Sequence, residues 1–327
     1  MISAEHVTKR FGCFVAIEDV SFEVPPGELV GFLGPNGAGK TTSLRILAGV
    51  FPPTSGRVRI AGRDMARDAL GIRRSIGYFP ERAPVYADMS VVRYLTYVGE
   101  MKGLRARAAR PAAAAAMAAC NLEQVAGRVI GTLSKGFRQR VGVAQALVGS
   151  PPVLILDEPT AGLDPAQAAD LRGLISGLRG AHTVIMATHI LEEVEKMCDR
   201  AIIVRGGRVL AVDTPENLRR RVRPHALIAV EINGPRLPVL AALRAQPGVE
   251  DLLETAAADG AVRVVLRSAP GEDLREALAA MVTRRGWGLR ELRRQSPALE
   301  EIFLALIADA APASEAHPRA THRHLPA

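Results

Sequence analysis

Short apolar runs alternate with amphipathic helical patterns through the first 205 residues of the chain. Six runs have the length and composition of buried strands, and each is bounded by Gly, Pro or polar residues. The predicted strands are Glu28–Phe32, Val58–Ile60, Ile76–Phe79, Val153–Leu156, Thr183–Ala187 and Ala201–Arg205. Helical patterns at Lys40–Ala48, Ala109–Ala119 and Pro165–Leu178 lie between several of them. Strands that alternate with helices predict an α/β domain with a largely parallel sheet.

The pattern changes after about residue 220, where a second set of elements follows. These are a strand at Ala226–Ile232, a helix at Pro238–Ala245, strands at Val249–Glu254 and Ala261–Leu266, a helix at Glu272–Arg284, a strand at Leu289–Leu292 and a helix at Pro297–Ala308. The βαββαβ order predicts a small ferredoxin-like α+β domain. We therefore divide the chain into a domain at 1–220, a second at 221–309 and a tail at 310–327. The tail, rich in Ala, Pro, His and polar residues, is expected to be disordered, and its histidines are expected to bind no metal.

The composition of the chain argues against several classes of protein. The chain has 327 residues, 48% of them apolar, and its three cysteines lie far apart without a CxxC pair, which favours a reducing compartment over a disulfide framework or a zinc site. The N-terminus does not resemble a signal peptide. We find no run of 18 apolar residues, and the Ala-rich stretch 112–120 is too short to span a bilayer. We expect a cytoplasmic protein that reaches a membrane only through a partner.

The net charge of +8 does not by itself indicate a nucleic-acid partner. The positive residues are scattered along the chain, often beside Asp or Glu, and aromatic residues make up only 4%. Proteins that bind nucleic acid usually combine a clustered basic face with aromatic side chains for stacking. We therefore expect no nucleic-acid binding.

A phosphate-binding loop follows the first predicted strand. Residues 34–41, GPNGAGKT, fit the pattern GxxxxGK[ST] and stand between a strand and a helix, the context that gives this pattern meaning. Glycines let backbone N–H groups curl around phosphate oxygens, and the helix N-terminus adds partial positive charge. Lys40 would reach the β- and γ-phosphates of a nucleotide, and the Thr41 hydroxyl would bind Mg²⁺. The predicted nucleotide contacts are Asn36, Gly37, Ala38, Gly39, Lys40, Thr41 and Thr42.

Two further stretches carry chemistry. The apolar strand at 153–156 ends in Asp157 and Glu158; Asp157 would hold the Mg²⁺, and Glu158 would polarise an attacking water. About a hundred residues after the phosphate loop, TLSKGFRQR at 132–140 has a second helix start suited to an anion, with Ser134 as N-cap and Gly136 opening the backbone. One nucleotide site does not by itself explain two such helix starts.

Together these motifs resemble the nucleotide-binding subunit of ATP-binding cassette (ABC) proteins. The resemblance covers residues 1 to about 215 and includes, in the family's order, the phosphate loop, the loop at Glu81, the signature segment Leu133–Phe137, the acid pair, the loop 161–164 and His189. It implies a P-loop ATPase domain of ABC type with a helical subdomain at about 85–150, and ATP with Mg²⁺ as cofactors. It also implies that two such domains face each other head to tail, so that Ser134 and Gly136 contact the ATP held by the partner's phosphate loop.

The resemblance assigns further roles by position. It implies that Phe11 stacks on adenine, that His189 contacts the γ-phosphate and helps to hold the attacking water, and that Asp164 helps to couple the two sites. Glu81 occupies the position of the family's usual Gln and would approach Mg²⁺ or its water, while adding negative charge near the phosphates.

Two departures point to one branch of the family. Glu81, and Lys135 with Phe137 in the signature segment, look like the variants of drug, antibiotic, sodium and gliding-motility exporters, as does the stretch 296–304. We therefore expect a homodimer, or a heterodimer with a similar subunit, at the cytoplasmic face of the cell membrane on separately encoded permease subunits. The segment from about Val91 to Ala119 would receive the permease.

Other classes of function compete with this hypothesis. One is a non-transport ABC ATPase acting on ribosomes or DNA, although such proteins usually carry two ATPase domains or a long coiled-coil insertion. Another is a P-loop kinase or GTPase, but the chain has no Asn-Lys-x-Asp motif for reading guanine. The role of the second domain stays open between regulation, dimer support and ligand sensing.

Overall fold

Twenty-four strands and helices, with two short 3₁₀ helices at Glu123–Val125 and Ile130–Thr132, make up the part of the chain that the computed structural model describes: residues 2–221, 225–255, 261–270 and 272–295. The strands are β1 (Ile2–Phe11), β2 (Phe14–Val24), β3 (Leu29–Leu33), β4 (Ser55–Ile60), β5 (Arg63–Asp64), β6 (Ile76–Phe79), β7 (Val153–Asp157), β8 (Thr183–Thr188), β9 (Arg200–Arg205), β10 (Arg208–Asp213), β11 (His225–Asn233), β12 (Val249–Thr255), β13 (Val262–Pro270) and β14 (Gly288–Gln295). The helices are α1 (Lys40–Leu47), α2 (Ala69–Arg74), α3 (Val91–Met101), α4 (Ala106–Ala119), α5 (Lys135–Leu147), α6 (Pro165–Ser176), α7 (Leu191–Met197), α8 (Pro215–Arg221), α9 (Arg236–Arg244) and α10 (Arg275–Arg284).

A six-stranded sheet in the order β10-β9-β3-β8-β7-β6 contains five of the six predicted strands. Strands β3, β6, β7, β8 and β9 pair in parallel, and β10 is added antiparallel at the edge. Every residue of β3, β7 and β8 is buried, because the sheet is covered on both faces. The carboxyl ends of these three strands meet at one edge, where an open parallel sheet binds its ligands.

The sixth predicted strand, Val58–Ile60, lies in a different sheet, so the prediction of one largely parallel sheet was incomplete. As β4 it belongs to an antiparallel sheet in the order β2-β1-β4-β5. Strands β1 and β2 were not predicted from the sequence, since their pairing shifts register between Ala4 and Val7 and again before Arg10, which breaks the alternation of apolar and polar positions. The two sheets share one apolar core with α1.

Helices α3, α4 and α5 lie between β6 and β7 in the sequence. They share a second apolar core with residues of the large sheet. The Ala-rich α4 packs close to α3, where a Cβ added at Gly99 would come within 3.3 Å of the Ala109 Cβ. Lys102, the residue after α3, donates to the carbonyls of Gln145, Ala146 and Val148 at the end of α5. Burial lowers the pKa of Lys102 to about 8. This ammonium group thus ties α3 to the end of α5.

The C-terminal elements form a separate antiparallel sheet in the order β12-β13-β11-β14, with its own apolar core beneath α9 and α10. The strands and helices between residues 225 and 295 follow the predicted order. Trp287, the one tryptophan of the sequence, follows α10 and packs beside Gly234. The predicted helix Pro297–Ala308 and the tail 310–327 lie outside the described residues.

Within the described ranges, the structure contains no helix that combines the length and the apolar character needed to cross a bilayer.

Candidate functional site

The phosphate loop connects β3 to α1 at the carboxyl edge of the large sheet. Gly37 and Gly39 have φ of 79° and 95°, a backbone conformation that residues with a Cβ rarely adopt. Gly39 also lies against β2, where an added Cβ would come within 2.7 Å of the Ile17 Cγ2. Lys40 is only 6% exposed and donates from Nζ to the carbonyl of Gly34 at 2.7 Å. The loop is therefore curled around its own lysine, with α1 starting directly behind it.

Asp157, at the end of β7, is a fully buried carboxylate with half of its hydrogen-bonding capacity unused. Its Oδ1 accepts from the Thr41 hydroxyl at 3.3 Å, and its Oδ2 has no hydrogen-bond partner among the described residues. The pKa of Asp157 is raised to about 6, chiefly by burial and to a lesser extent by the neighbouring carboxylates of Glu158 and Glu81, against the lowering effect of the hydrogen bond from Thr41. A buried oxygen without a partner costs free energy unless a ligand occupies it.

The donor set around Asp157 fits Mg²⁺. The described residues contain no cluster of three or more His, Cys, Asp and Glu side chains able to hold a metal ion. Mg²⁺, however, is usually held by one or two carboxylates together with substrate phosphates and water. The free oxygen of Asp157 and the adjacent Thr41 hydroxyl supply such a partial set of hard oxygen ligands, and Glu81 lines the same pocket.

Glu158 is directed toward the phosphate loop by an unusual backbone conformation. Its φ is +50°, which is uncommon for a residue other than glycine and often marks a functional position. Its Oε2 lies 2.8 Å from the His189 Nδ1, and its Oε1 lies 3.6 Å from the Lys40 Nζ. The carboxylate thus stands between the lysine of the phosphate loop and a histidine that follows β8.

One pocket of about 480 Å³ collects most of the residues predicted to bind nucleotide. Its lining includes Asn36, Gly37, Gly39, Lys40, Thr41, Thr42, Glu81, Glu158 and His189. Asp157 lies beneath this lining and reaches it through Thr41. Ala38 is not part of the lining: it is 3% exposed, and its amide donates to the Pro35 carbonyl.

The predicted adenine residue, Phe11, does not line this pocket, whereas Phe14 and Ala16 do. The Phe11 ring packs edge-on against Phe51, with 5.5 Å between the ring centroids. Phe11 and Phe14 pair directly across the β1–β2 hairpin, so both rings leave the same face of that ribbon. Sequence reasoning missed Phe14, although two aromatic residues separated by the Gly-containing pair at 12–13 are a hairpin signal.

The signature segment forms a second surface with the loop before α6. Ser134 caps α5 by accepting from the Phe137 amide at 3.4 Å, and Asp164 caps α6 by accepting from the Gln167 amide at 2.8 Å. Lys135 donates to the Gly162 carbonyl, and a Cβ added at Gly136 would come within 2.6 Å of the Gln167 Oε1. Ser134, Gly136 and Asp164 do not line the pocket of their own chain.

Comparison with known proteins identifies the family. A family described as "ABC transporter" matches residues 17–161. The linearmycin resistance ATP-binding protein LnrL of Bacillus subtilis (strain 168) is 31% identical over 307 residues, which cover 94% of this chain and 98% of that protein. The chain belongs to the ABC transporter family. Within it, the daunorubicin resistance ATP-binding protein DrrA3 of Streptomyces coeruleorubidus is 32% identical over 313 residues, covering 94% of this chain and 96% of that one.

A solved ABC structure shows the same fold. It is a dimeric ATP-binding cassette described as a post-hydrolysis state bound to ADP and phosphate. The two chains are 26% identical with a TM-score of 0.59, and the match covers 65% of this chain and 98% of the other. The recognition of an ABC ATP-binding protein from its ordered motifs is thus confirmed, and so is the ABC-type α/β fold.

Proposed function

We propose that this ABC protein is the ATP-binding and ATP-hydrolysing subunit of an exporter, which works as an ATP-driven dimer on separately encoded permease subunits. The observation that carries the proposal is the arrangement of Asp157, Glu158 and His189 at the edge of the sheet, facing a phosphate loop. The names of the two relatives, both linked to resistance against an antibiotic compound, support export. The substrate would be chosen by the permease.

Each residue of the pocket has a distinct task in this proposal. MgATP supplies the phosphoryl group that is transferred to water. The phosphate loop and Lys40 bind the phosphates, and Thr41 with Asp157 and Glu81 would hold the metal. Glu158 accepts a proton from the attacking water, while His189, 2.8 Å from Glu158, orients that carboxylate and contacts the γ-phosphate. The ring of Phe11 or Phe14 provides an apolar face for adenine.

Dimer formation would complete the site. Ser134 and Gly136 do not line their own chain's pocket. Ser134 is exposed at the start of α5, a helix end suited to an anion, whereas Gly136 is buried beside Gln167. A second copy, or a similar subunit, turned head to tail would bring these residues to the γ-phosphate, and Asp164 would lie at the contact between the copies. The dimeric cassette among the related structures supports this arrangement.

The permease would dock beside α3. Tyr97 and Met101 lie one turn apart on this helix and are 37% and 70% exposed, and Tyr86, 53% exposed, stacks edge-on against Tyr97. These large exposed side chains form an apolar patch that a partner could cover. Tyr97 and Met101 fall within the predicted receiving segment, Val91 to Ala119, and Tyr86 lies five residues before it. Docking there would hold the protein at the cytoplasmic face of the membrane.

The order of the strands and helices between residues 225 and 295 supports a proposal for the C-terminal part of the chain. We propose that 221–309 is a ferredoxin-like domain, outside the ATP site, with a regulatory or dimer-supporting role.

Glu158→Gln tests the proposal. With MgATP, this variant should form a stable dimer and hydrolyse ATP at least about 100-fold more slowly, because it keeps every binding contact and loses the base. The readouts are light scattering after gel filtration, phosphate release, and co-purification with a polytopic membrane protein. The control is Glu192→Gln, a change of an exposed glutamate at the start of α7, and it should hydrolyse ATP at the parental rate. A parent that is active, needs no membrane partner and is stimulated by RNA or DNA would support the non-transport alternative instead.

A further inference from the structure

We propose that Glu193 is a positioning residue for His189 and that helix α6 connects this support to the signature segment. The inference rests on the proposed function, since it assigns the groups that hold one of its site residues. Glu193 was not singled out in the sequence, where it is one of two adjacent glutamates at the start of α7.

The contacts around Thr188 fix the backbone on both sides of His189. Thr188 ends β8 and is fully buried. Its hydroxyl donates to the Glu193 Oε2 at 2.8 Å and accepts from the Ile190 amide at 3.0 Å. The residues before and after His189 are therefore held by one hydroxyl group, and Glu193 orients that hydroxyl. The His189 side chain itself is half exposed and is held on the other side by Glu158.

Burial shows that Glu193 differs from an ordinary helix-start glutamate. It is 1% exposed, whereas the side chain of Glu192 is 66% exposed and pairs with Lys196 one turn later. Either carboxylate would suit the dipole at the start of α7. Only a specific partner compensates for burying a charged group, and the cation that faces Glu193 is Arg172 of α6.

The Arg172 contact is close but incomplete. Its Nη1 lies 3.5 Å from the Glu193 Oε1, yet this oxygen has no aligned hydrogen bond among the described residues. The pair is therefore held by charge rather than by an aligned hydrogen bond.

Helix α6 also contacts the signature segment. Gln167, in its first turn, lies against Gly136 so closely that a side chain there would collide with it. Arg172 follows five residues later on the same helix, about 7.5 Å along the axis. Helix α6 thus contacts two groups of residues. One is the signature segment, which would contact the nucleotide bound by the partner. The other is Glu193, which supports His189, and His189 would contact the nucleotide bound by its own chain. Engagement of Ser134 and Gly136 by a second copy would be transmitted to His189 through this helix.

The first test compares Glu193→Gln with the control Glu192→Gln in the full chain bound to its permease. Glu193→Gln should lower kcat for MgATP by about 10- to 100-fold, because small displacements of a reacting group have effects of that size. The KM should stay within about threefold of the parent's, since the binding contacts remain. Glu192→Gln should change neither value. A parental kcat in Glu193→Gln would overturn the inference.

A double-mutant cycle separates positioning from a merely structural role. In single-turnover hydrolysis, Glu193→Gln should have no further effect in a His189→Ala background, because the residue that it positions is gone. An equal fold-loss in both backgrounds would refute the inference. Arg172→Gln, at a site 27% exposed in its side chain, should fold without difficulty and show the same loss of effect in the His189→Ala background.

The same measurements distinguish failure of the inference from failure of the proposed function. If the parent and Glu192→Gln hydrolyse no ATP with the permease bound, the proposed function is wrong. If both are active and the Glu193 and Arg172 variants are equally active, only the positioning role is wrong.

Discussion

Replacing Asp157 by Asn should make the nucleotide-free protein more stable while removing its response to Mg²⁺. Burial raises the pKa of Asp157 from 3.8 to about 6, so the ionised carboxylate at neutral pH costs about 3 kcal/mol, at roughly 1.4 kcal/mol per pKa unit. Asparagine carries no charge and can still accept the Thr41 hydrogen bond. We therefore expect the free energy of unfolding to rise by about 1–3 kcal/mol at about pH 7.5.

The sign of the pH dependence follows from the same shift. A carboxyl group whose pKa is raised by folding contributes stability that is fully present below about pH 4 and is lost as the pH rises through about 6. The difference in stability between Asp157→Asn and the parent should therefore shrink to about half near pH 5.

The assay is urea unfolding followed by far-ultraviolet circular dichroism in EDTA, at about pH 7.5 and about pH 5. The control is Asp170→Asn, an exposed carboxylate paired with Arg140, which should change stability by less than about 0.5 kcal/mol. In a parallel arm, MgATP should stabilise the parent more than ATP with EDTA, and Asp157→Asn should lose that difference. If the variant is less stable than the parent, or if the difference in unfolding free energy does not change with pH, other groups of the protein compensate for the buried charge of Asp157.

Three other changes give separate readouts. Ser134→Arg should leave ATP binding to the monomer intact but block dimer closure and hydrolysis, and parental phosphate release would refute the shared site. Phe14→Ala should weaken ATP binding, measured by equilibrium dialysis, more than Phe11→Ala does, because only Phe14 lines the pocket. If Phe11→Ala weakens binding more, Phe11 is the adenine contact, as the family resemblance implies. Lys102→Met should lower the free energy of unfolding by about 1–3 kcal/mol, since it leaves three carbonyls at the end of α5 without their donor. Its control is the exposed Lys196→Met, and equal urea midpoints for the two variants would contradict the role of Lys102.

The buried strands could be predicted from the sequence because their signal is local. The run Ile76–Phe79 was placed at its observed ends, and Thr183–Ala187 missed only one residue of β8. Such segments are continuously apolar and are bounded by Gly, Pro or polar residues, so their limits do not depend on partners elsewhere. The motifs of the phosphate loop and the acid pair share this property, since each follows directly after a buried strand.

The features that were missed depend on contacts between distant residues. Register shifts in the β1–β2 pairing hide its alternation, so the antiparallel sheet was not foreseen. The approach of Phe14 to the pocket depends on how this hairpin packs against the phosphate loop. Glu193 and Arg172 are separated by the end of α6, a loop and β8, and nothing local distinguishes Glu193 from Glu192. Tertiary packing decides which of two equal side chains is buried.

The position of the sole tryptophan has a practical consequence. Trp287 belongs to the C-terminal elements, where it packs beside Gly234 with the Arg285 guanidinium 5.3 Å from the centre of its ring. Its tryptophan fluorescence therefore reports on that part of the molecule without labelling, because the sequence has no tryptophan elsewhere. A spectral change when MgATP is added would mean that events at the phosphate loop are felt among the C-terminal strands.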